Sequence, residues 1–339
     1  MPMRPEFRRR GVLLAASLIC TALCAGCGEV HAQQRPGPPR PLSVAIDGRP
    51  SGLYASLYAA QSDGQFRLGA LAVKITEPPD VLGALESGAA EVAIVSEPAL
   101  LDARARGAQL VAIGALVSGP LDGIVSLAAR PITTAAQLAG ATIALRPTPL
   151  AAAQLATVLA DAHLAASSVH RMTLSGSLES ALLGGRAEAT LGDLWPIDAA
   201  ALSLSHRSAK VLEIQQAGVP TYSQLVLVVR LSEARYAGPL LRAFLQALSR
   251  GERAVAANPA AAAAVLAKAN PRLSTAFERA LLAEVLPVAS PANSSLPFGY
   301  QDPLRWQAFG TWMRRHGLIG GAQNAGDAIT DEFLPGQGE

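Results

Sequence analysis

From residue 42 onward the chain alternates short apolar runs with stretches of helical periodicity, and this alternation restricts the fold more than any other feature. LSVAI (42–46), ALAVKI (70–75), EVAIV (91–95), QLVAIGAL (109–116) and IVSLA (124–128) read as strands. So do ATIAL (141–145), AEATL (187–191), AKVLEI (209–214) and QLVLVVR (224–230). Most are apolar throughout, as expected of strands covered on both faces by helices. Between them lie helical patterns such as PDVLGALESG (79–88) and PLAAAQLATVLADAHL (149–164). The spacing predicts an α/β fold built on parallel sheets, and about 300 residues suffice for two lobes.

A weak internal repeat points the same way. ALESGAAEVAIVSEP (84–98) and ALLGGRAEATLGDLWP (181–196) each read as a helix end, a glycine stop, a glutamate, a strand and the opening of a new helix. Gly88 pairs with Gly185 and Glu91 with Glu188. Such a repeat predicts two similar α/β units.

The N-terminus has a different character. Arg4, Arg8, Arg9 and Arg10 precede the apolar run GVLLAASLICTAL (11–23), which has the length of a secretory h-region and is too short to span a bilayer. All three cysteines, Cys20, Cys24 and Cys27, lie in or just beyond it. Ala25-Gly26-Cys27 fits a lipoprotein signal (1–27) in which Cys27 is acylated; Val30-His31-Ala32 offers an ordinary signal-peptidase site instead. Both imply export. A chain beginning at Cys27 has no second cysteine, which excludes disulfides and thiolate catalysis. Removing the leader takes the formal net charge from +2 to about −1, so no basic surplus remains for nucleic acid. Residues 28–41, rich in proline and polar side chains, read as a disordered tether.

In open α/β sheets, ligands sit beyond the carboxyl ends of the strands, where helix N-termini present free N–H groups. Those ends place Asp47, Ser96, Glu97, Arg146, Thr148, Asp193 and Trp195 as ligand-site candidates. Trp195 could stack on a flat ligand or pack beneath its helix as core. Tyr222, on the crossing QAGVPTY (216–222), and Tyr54, early in the first helix, carry the same two readings. Glu97 and Asp193 could accept hydrogen bonds from a ligand's amino groups or cap the following helix. Arg146 could hold an anion or stand solvated. VSGPLDG (117–123) and QAGVPTY are the stretches where the chain would cross between lobes.

Enzyme signatures are missing from the sequence: it has no GxSxG elbow, P-loop, HExxH or glycine-rich dinucleotide fingerprint. No histidine pair has metal-ligand spacing, so neither a metal nor a cofactor is expected. DPLRWQAFGTWMRRHG (302–317) reads as a helix capped by Asp302 and stopped by Gly317, with Trp306, Phe309 and Met313 as its buried stripe.

The segments TEPPDVLGALESGAAEVAIV, GAQLVAIGAL, GDLWPIDAA, VPTYSQLVLVVR, GYQDPLRWQAFGTWM and DEFLP resemble the substrate-binding proteins of ABC importers. They resemble most closely the group that binds pyrimidine precursors of thiamine, which is related to the fungal pyrimidine synthases. The resemblance runs from about residue 42 to 335. It implies a hinged, two-lobed, type II periplasmic-binding-protein-like fold, with lobe I formed by 42–119 and 224–335 and lobe II by 120–223. It also implies a monomer that captures a planar heteroaromatic ligand and delivers it to a membrane permease driven by a cytoplasmic ATPase. The protein would be periplasmic or lipid-anchored to the outer face of the cell membrane. Trp195 and Tyr222 match the family's pattern, and Glu97 aligns with a one-residue slip. The loop GRPSGLY (48–54) is shorter than the family's aromatic-bearing loop. A small anion such as a sulfonate, nitrate or an aromatic acid is the alternative ligand. A lipid-tethered sensor domain is the alternative role, and a pyrimidine synthase is the enzyme reading.

Overall fold

The computed structural model describes residues 38–289 and 295–336. The leader, Cys27 and most of the tether lie outside these residues. The last two tether positions, Arg40 and Pro41, belong to the first strand, which therefore starts two residues earlier than the sequence pattern suggested. Among the described residues no helix is long and apolar enough to cross a membrane.

Ten strands are described: β1 (Arg40–Ile46), β2 (Leu71–Thr76), β3 (Val92–Val95), β4 (Leu110–Val117), β5 (Gly123–Leu127), β6 (Thr142–Leu145), β7 (His170–Thr173), β8 (Ala189–Leu191), β9 (Ala209–Glu213) and β10 (Leu225–Arg230). They form two five-stranded sheets, ordered β2-β1-β3-β10-β4 and β7-β6-β8-β5-β9. Each sheet with its helices is one lobe. Nine strands fall on the apolar runs of the sequence. The tenth, β7, is an edge strand whose four residues are half-buried or exposed, so it carries no apolar signal.

The sheets are mostly, not wholly, parallel. β10 runs antiparallel to β3 and β4, and β5 antiparallel to β8 and β9. These are the two strands that follow a change of sheet. The chain leaves the first sheet after Val117 and enters the second at Gly123; it leaves after Glu213 and returns at Leu225. Each crossing starts at the carboxyl end of a parallel strand and enters the other sheet from the same edge. The carboxyl edges of both sheets are thereby brought together, because residues 118–122 reach no further than roughly 18 Å even when fully extended.

The repeat is visible in the pairing. Glu91 accepts the Ser43 backbone N–H (2.6 Å), and Glu188 accepts that of Thr142 (2.6 Å). Each glutamate thus ties the start of β3 or β8 to the neighbouring strand, β1 or β6. Gly88 and Gly185 precede them with φ of +80° and +64°, the left-handed conformation that ends each helix without a Cβ penalty.

The Gly238–Ala257 helix packs on the Ala55–Ser62 helix with Leu241, Phe244, Leu245 and Leu248 buried. At Gly251 the two backbones meet: a Cβ there would lie 2.2 Å from the Ser56 carbonyl oxygen and 2.8 Å from the Ala60 Cβ. Gly251→Ala is therefore expected to force the helices apart and cost roughly 1–3 kcal/mol, the range for overpacking a tight core. Thermal unfolding of the variant checks this; an unchanged melting temperature would show that the contact gives way freely.

Candidate functional site

The carboxyl edges meet around the two crossings, and buried polar contacts bind the crossings to each other. The Leu121 N–H donates to Gln224 Oε1 (2.9 Å). The Tyr222 hydroxyl donates to the Asp122 carboxylate, which also accepts from Gln154 Nε2 (2.9 Å). Gln154 lies on the Pro149–Asp161 helix of the second lobe, so this cluster joins both crossings to that lobe. All three side chains are buried. Burial pushes the Asp122 carboxyl upward against the stabilising bond from Tyr222, and pushes the Tyr222 hydroxyl well above its ordinary value.

Tyr222 also begins an aromatic ladder. Its ring stacks on Phe309 at 4.3 Å, Phe309 lies 5.3 Å from Trp312, and Trp312 lies 4.8 Å from His316. The Trp312 indole N–H donates to Thr157 Oγ1 (2.9 Å), one turn beyond Gln154 on the second-lobe helix. The Pro303–Arg315 helix forms where the cap, stop and buried stripe indicated, and its stripe extends to Trp312.

A cavity of about 790 Å³ opens beside the crossings. Its walls include Ser118 of the first crossing, Thr221, Tyr222 and Ser223 of the second, Glu97 at the end of β3, and the segment from Leu296 to Gln301. Glu97 is 1% exposed. Its Oε2 accepts the Ser223 N–H (2.7 Å) while its own backbone N–H donates to the Ser223 carbonyl (3.2 Å). Burial raises its pKa from 4.5 to about 8, against the lowering effect of the Ser223 bonds.

Of the nine sequence candidates for the ligand site, Glu97 and Tyr222 line this cavity. The cap of the Glu97–Ala105 helix is Ser96, whose hydroxyl accepts the Ala99 N–H (3.3 Å); Glu97 faces the second crossing instead. Thr148 caps the Pro149–Asp161 helix in the same way (3.2 Å to the Ala151 N–H). Asp193 makes no cap. Its carboxylate takes Arg146 in a two-pronged pair (2.5 Å each), and Arg146 also donates to the Gly176 carbonyl (2.6 Å). That guanidinium is therefore already neutralised. Asp47 is exposed, and its carbonyl accepts the hydroxyl of Tyr54, whose ring is 3% exposed in the first-lobe core. Trp195 belongs to a buried cluster with Val125, Leu182, Ala199 and Leu202, against which Val288 of the first lobe packs. Its ring takes the core reading, with a buried indole N–H that has no partner.

The sequence reading missed Asp122, Gln154, Ser118 and Gln301. Asp122 was visible as an acid inside a crossing, SGPLDG, and that was its one signal. Asp198 was missed as well. It is buried in the first turn of the Trp195–Leu204 helix, and burial, then the charges of Asp193 and Glu179, raise its pKa from 3.8 to about 7.

Comparison with known proteins matches the sequence to a family. The sequence model described as NMT1/THI5 like matches residues 53–262, more than half of the chain. The protein belongs to the NMT1/THI5-like family. It is 28% identical to the formylaminopyrimidine-binding protein of Halalkalibacterium halodurans, over 86% of this chain and 90% of that one. Its fold is shared with the periplasmic aliphatic sulphonate-binding protein SsuA of Escherichia coli, at a TM-score of 0.67 and 17% identity, over 87% of this chain and 99% of that one. The desulfurization enzyme DszB has the same fold, at a TM-score of 0.57 and 15% identity, over 87% and 97% of the two chains. The fold is thus periplasmic-binding-protein-like. Gln301 and the segment from Leu296 onward lie beyond the family match.

Two outcomes follow from the buried acids. Tyr222→Phe leaves Asp122 with Gln154 alone and is expected to cost about 1–3 kcal/mol in urea unfolding, the penalty of a buried group losing a partner. Glu97 and Asp198 hold their protons to higher pH when folded than when unfolded, so their contribution to stability is complete below about pH 4. It falls away as the pH rises towards 8. The unfolding midpoint should therefore drop between pH 5.5 and 8.5, and Glu97→Gln should flatten that slope. A slope identical to the wild type would remove Glu97 from this account.

Proposed function

We propose that the protein is an extracytoplasmic solute-binding protein of an ABC importer. It captures a small, planar heteroaromatic ligand of the thiamine-pyrimidine type in the cavity beside the crossings and releases it to a membrane permease. The observation that carries this reading is the position of the cavity: both interlobe crossings and the carboxyl end of β3 contribute to one wall. A ligand there touches the segments that must change conformation when the lobes rotate, so its binding energy couples directly to closure. Family membership and the name of the H. halodurans relative support the pyrimidine assignment. Phe298 and Tyr300 among the lining residues suit a flat ring.

Closure rather than chemistry is the work assigned to this site. The lobes already touch where Trp312 meets Thr157 and where Val288 packs on the cluster that holds Trp195, so opening has to separate those contacts. In the same proposal Cys27 carries the lipid that keeps the protein at the outer face of the cell membrane, and a monomer suffices for delivery.

The test is a thermal-shift screen of the purified protein against aminopyrimidines, alkanesulfonates, nitrate and aromatic acids. A ligand that binds only the folded state raises the melting temperature, by about 2.7 kcal/mol of stabilisation at a hundredfold excess over Kd. A shift with aminopyrimidines alone is the expected result. A shift with alkanesulfonates alone would move the assignment to an anion.

A further inference from the structure

The Thr275–Ala289 helix follows the second crossing and belongs with the first lobe, yet it packs on both lobes. On one side it meets the Gly52–Tyr54 turn that follows β1. There Glu278, 2% exposed, accepts the Gly52 N–H at 2.6 Å, and Leu281 and Leu282 lie against Gly52. On the other side it meets the Trp195–Leu204 helix of the second lobe. Ala200 of that helix belongs to the same buried cluster as Leu281, Leu282 and Val285, and Leu194 and Ile197 pack against it. Near the end of the helix, Val288 packs on the cluster that holds Trp195. Val288 Cγ1 also reaches the first crossing, where a Cβ on Gly119 would lie 3.0 Å from it.

The helix therefore stands between the segments that follow β1 and β8, two of the places where open α/β sheets present strand ends to a ligand. Its position accounts for a cavity that reaches Glu97 after β3 but neither Asp47 nor Trp195. The two attachments of the helix differ in kind. On the first lobe it is held by a buried hydrogen bond, whose loss would leave a donor and an acceptor unpaired. On the second lobe it is held by apolar side chains, which can part and re-form without orphaning a polar group. Pro287 supplies no N–H and interrupts the helical bonding one residue before Val288. Beneath this end lies a crevice of about 20 Å³ walled by Leu116, Val117, Val285 and Ala289.

We propose that the Thr275–Ala289 helix is a clasp between the lobes: anchored to the first through Glu278, it grips the second through Val288 and the face that covers Ala200, and the second lobe lets go of it when the molecule opens. The clasp serves whatever ligand the cavity takes, and its residues lie past the family match.

The test is thiol labelling of the full chain without ligand, read position by position by peptide mass spectrometry. Ala200→Cys places a thiol beneath the clasp, and Ala247→Cys places one in the first-lobe core, which only unfolding exposes. Thermal unfolding confirms that each variant is folded, and Ile197→Cys, on the same helix, is the second reporter should Ala200→Cys not fold. Position 200 is expected to react about tenfold faster than position 247 or more, because local opening precedes global unfolding. Adding Val288→Ala should raise the rate at position 200 by up to about tenfold, the effect of withdrawing two methyl groups from an apolar contact. Phe277→Ala, which trims the anchored half of the helix, should leave that rate within about twofold of the wild type. Equal rates at positions 200 and 247 would show that the lobes part only on unfolding and would overturn the clasp. An unchanged rate in Val288→Ala, or an equal rise in Phe277→Ala, would overturn it as well. None of these outcomes depends on which ligand binds.

Discussion

The contact on which the rest of this structure depends is the hydrogen bond from Tyr222 to Asp122. It joins the two points at which the chain passes from one sheet to the other, and it does so away from water. Gln154 adds the second lobe to the same cluster, and the stacked rings of Phe309 and Trp312 carry it out along the last long helix. A buried carboxyl group with two donors loses stability when either is removed. The crossings are therefore tied to each other and to the second lobe by the same few side chains.

The architecture was legible because its signal is redundant. Nine apolar runs, each bounded by turn residues, identify nine strands, and the paired glutamates Glu91 and Glu188 mark equivalent places in two equivalent sheets. The antiparallel direction of β5 and β10 was not legible, since an apolar run covered on both faces reads the same in either direction. β7 was hidden for the opposite reason: an exposed edge strand has nothing to bury.

The site was legible in outline only. Strand ends indicate where polar side chains gather, but not which of them face the cavity. Ser96 and Glu97 are adjacent, and one caps a helix while the other reaches the second crossing. Arg146 and Asp193 each looked available to a ligand, and the structure spends them on each other. Trp195 illustrates a further limit, because a rare aromatic at a strand end suits a ligand and a core equally well. Asp122 and Gln301 act through partners roughly 30 to 190 residues away, a distance that local pattern cannot bridge.

The strand order has a consequence for how the molecule is assembled. β10 lies between β3 and β4 in the first sheet, yet it follows the whole second lobe in the chain. Until residue 230 is available, the first sheet has a missing central strand, and the facing edges of β3 and β4 have nothing to bond. The second sheet, by contrast, has all five strands once Glu213 has emerged. In vectorial synthesis or translocation the later-starting lobe therefore finishes first, and the N-terminal strands wait as an unfilled template. The polypeptide enters the folded state from its middle, and its two ends close around what is already formed.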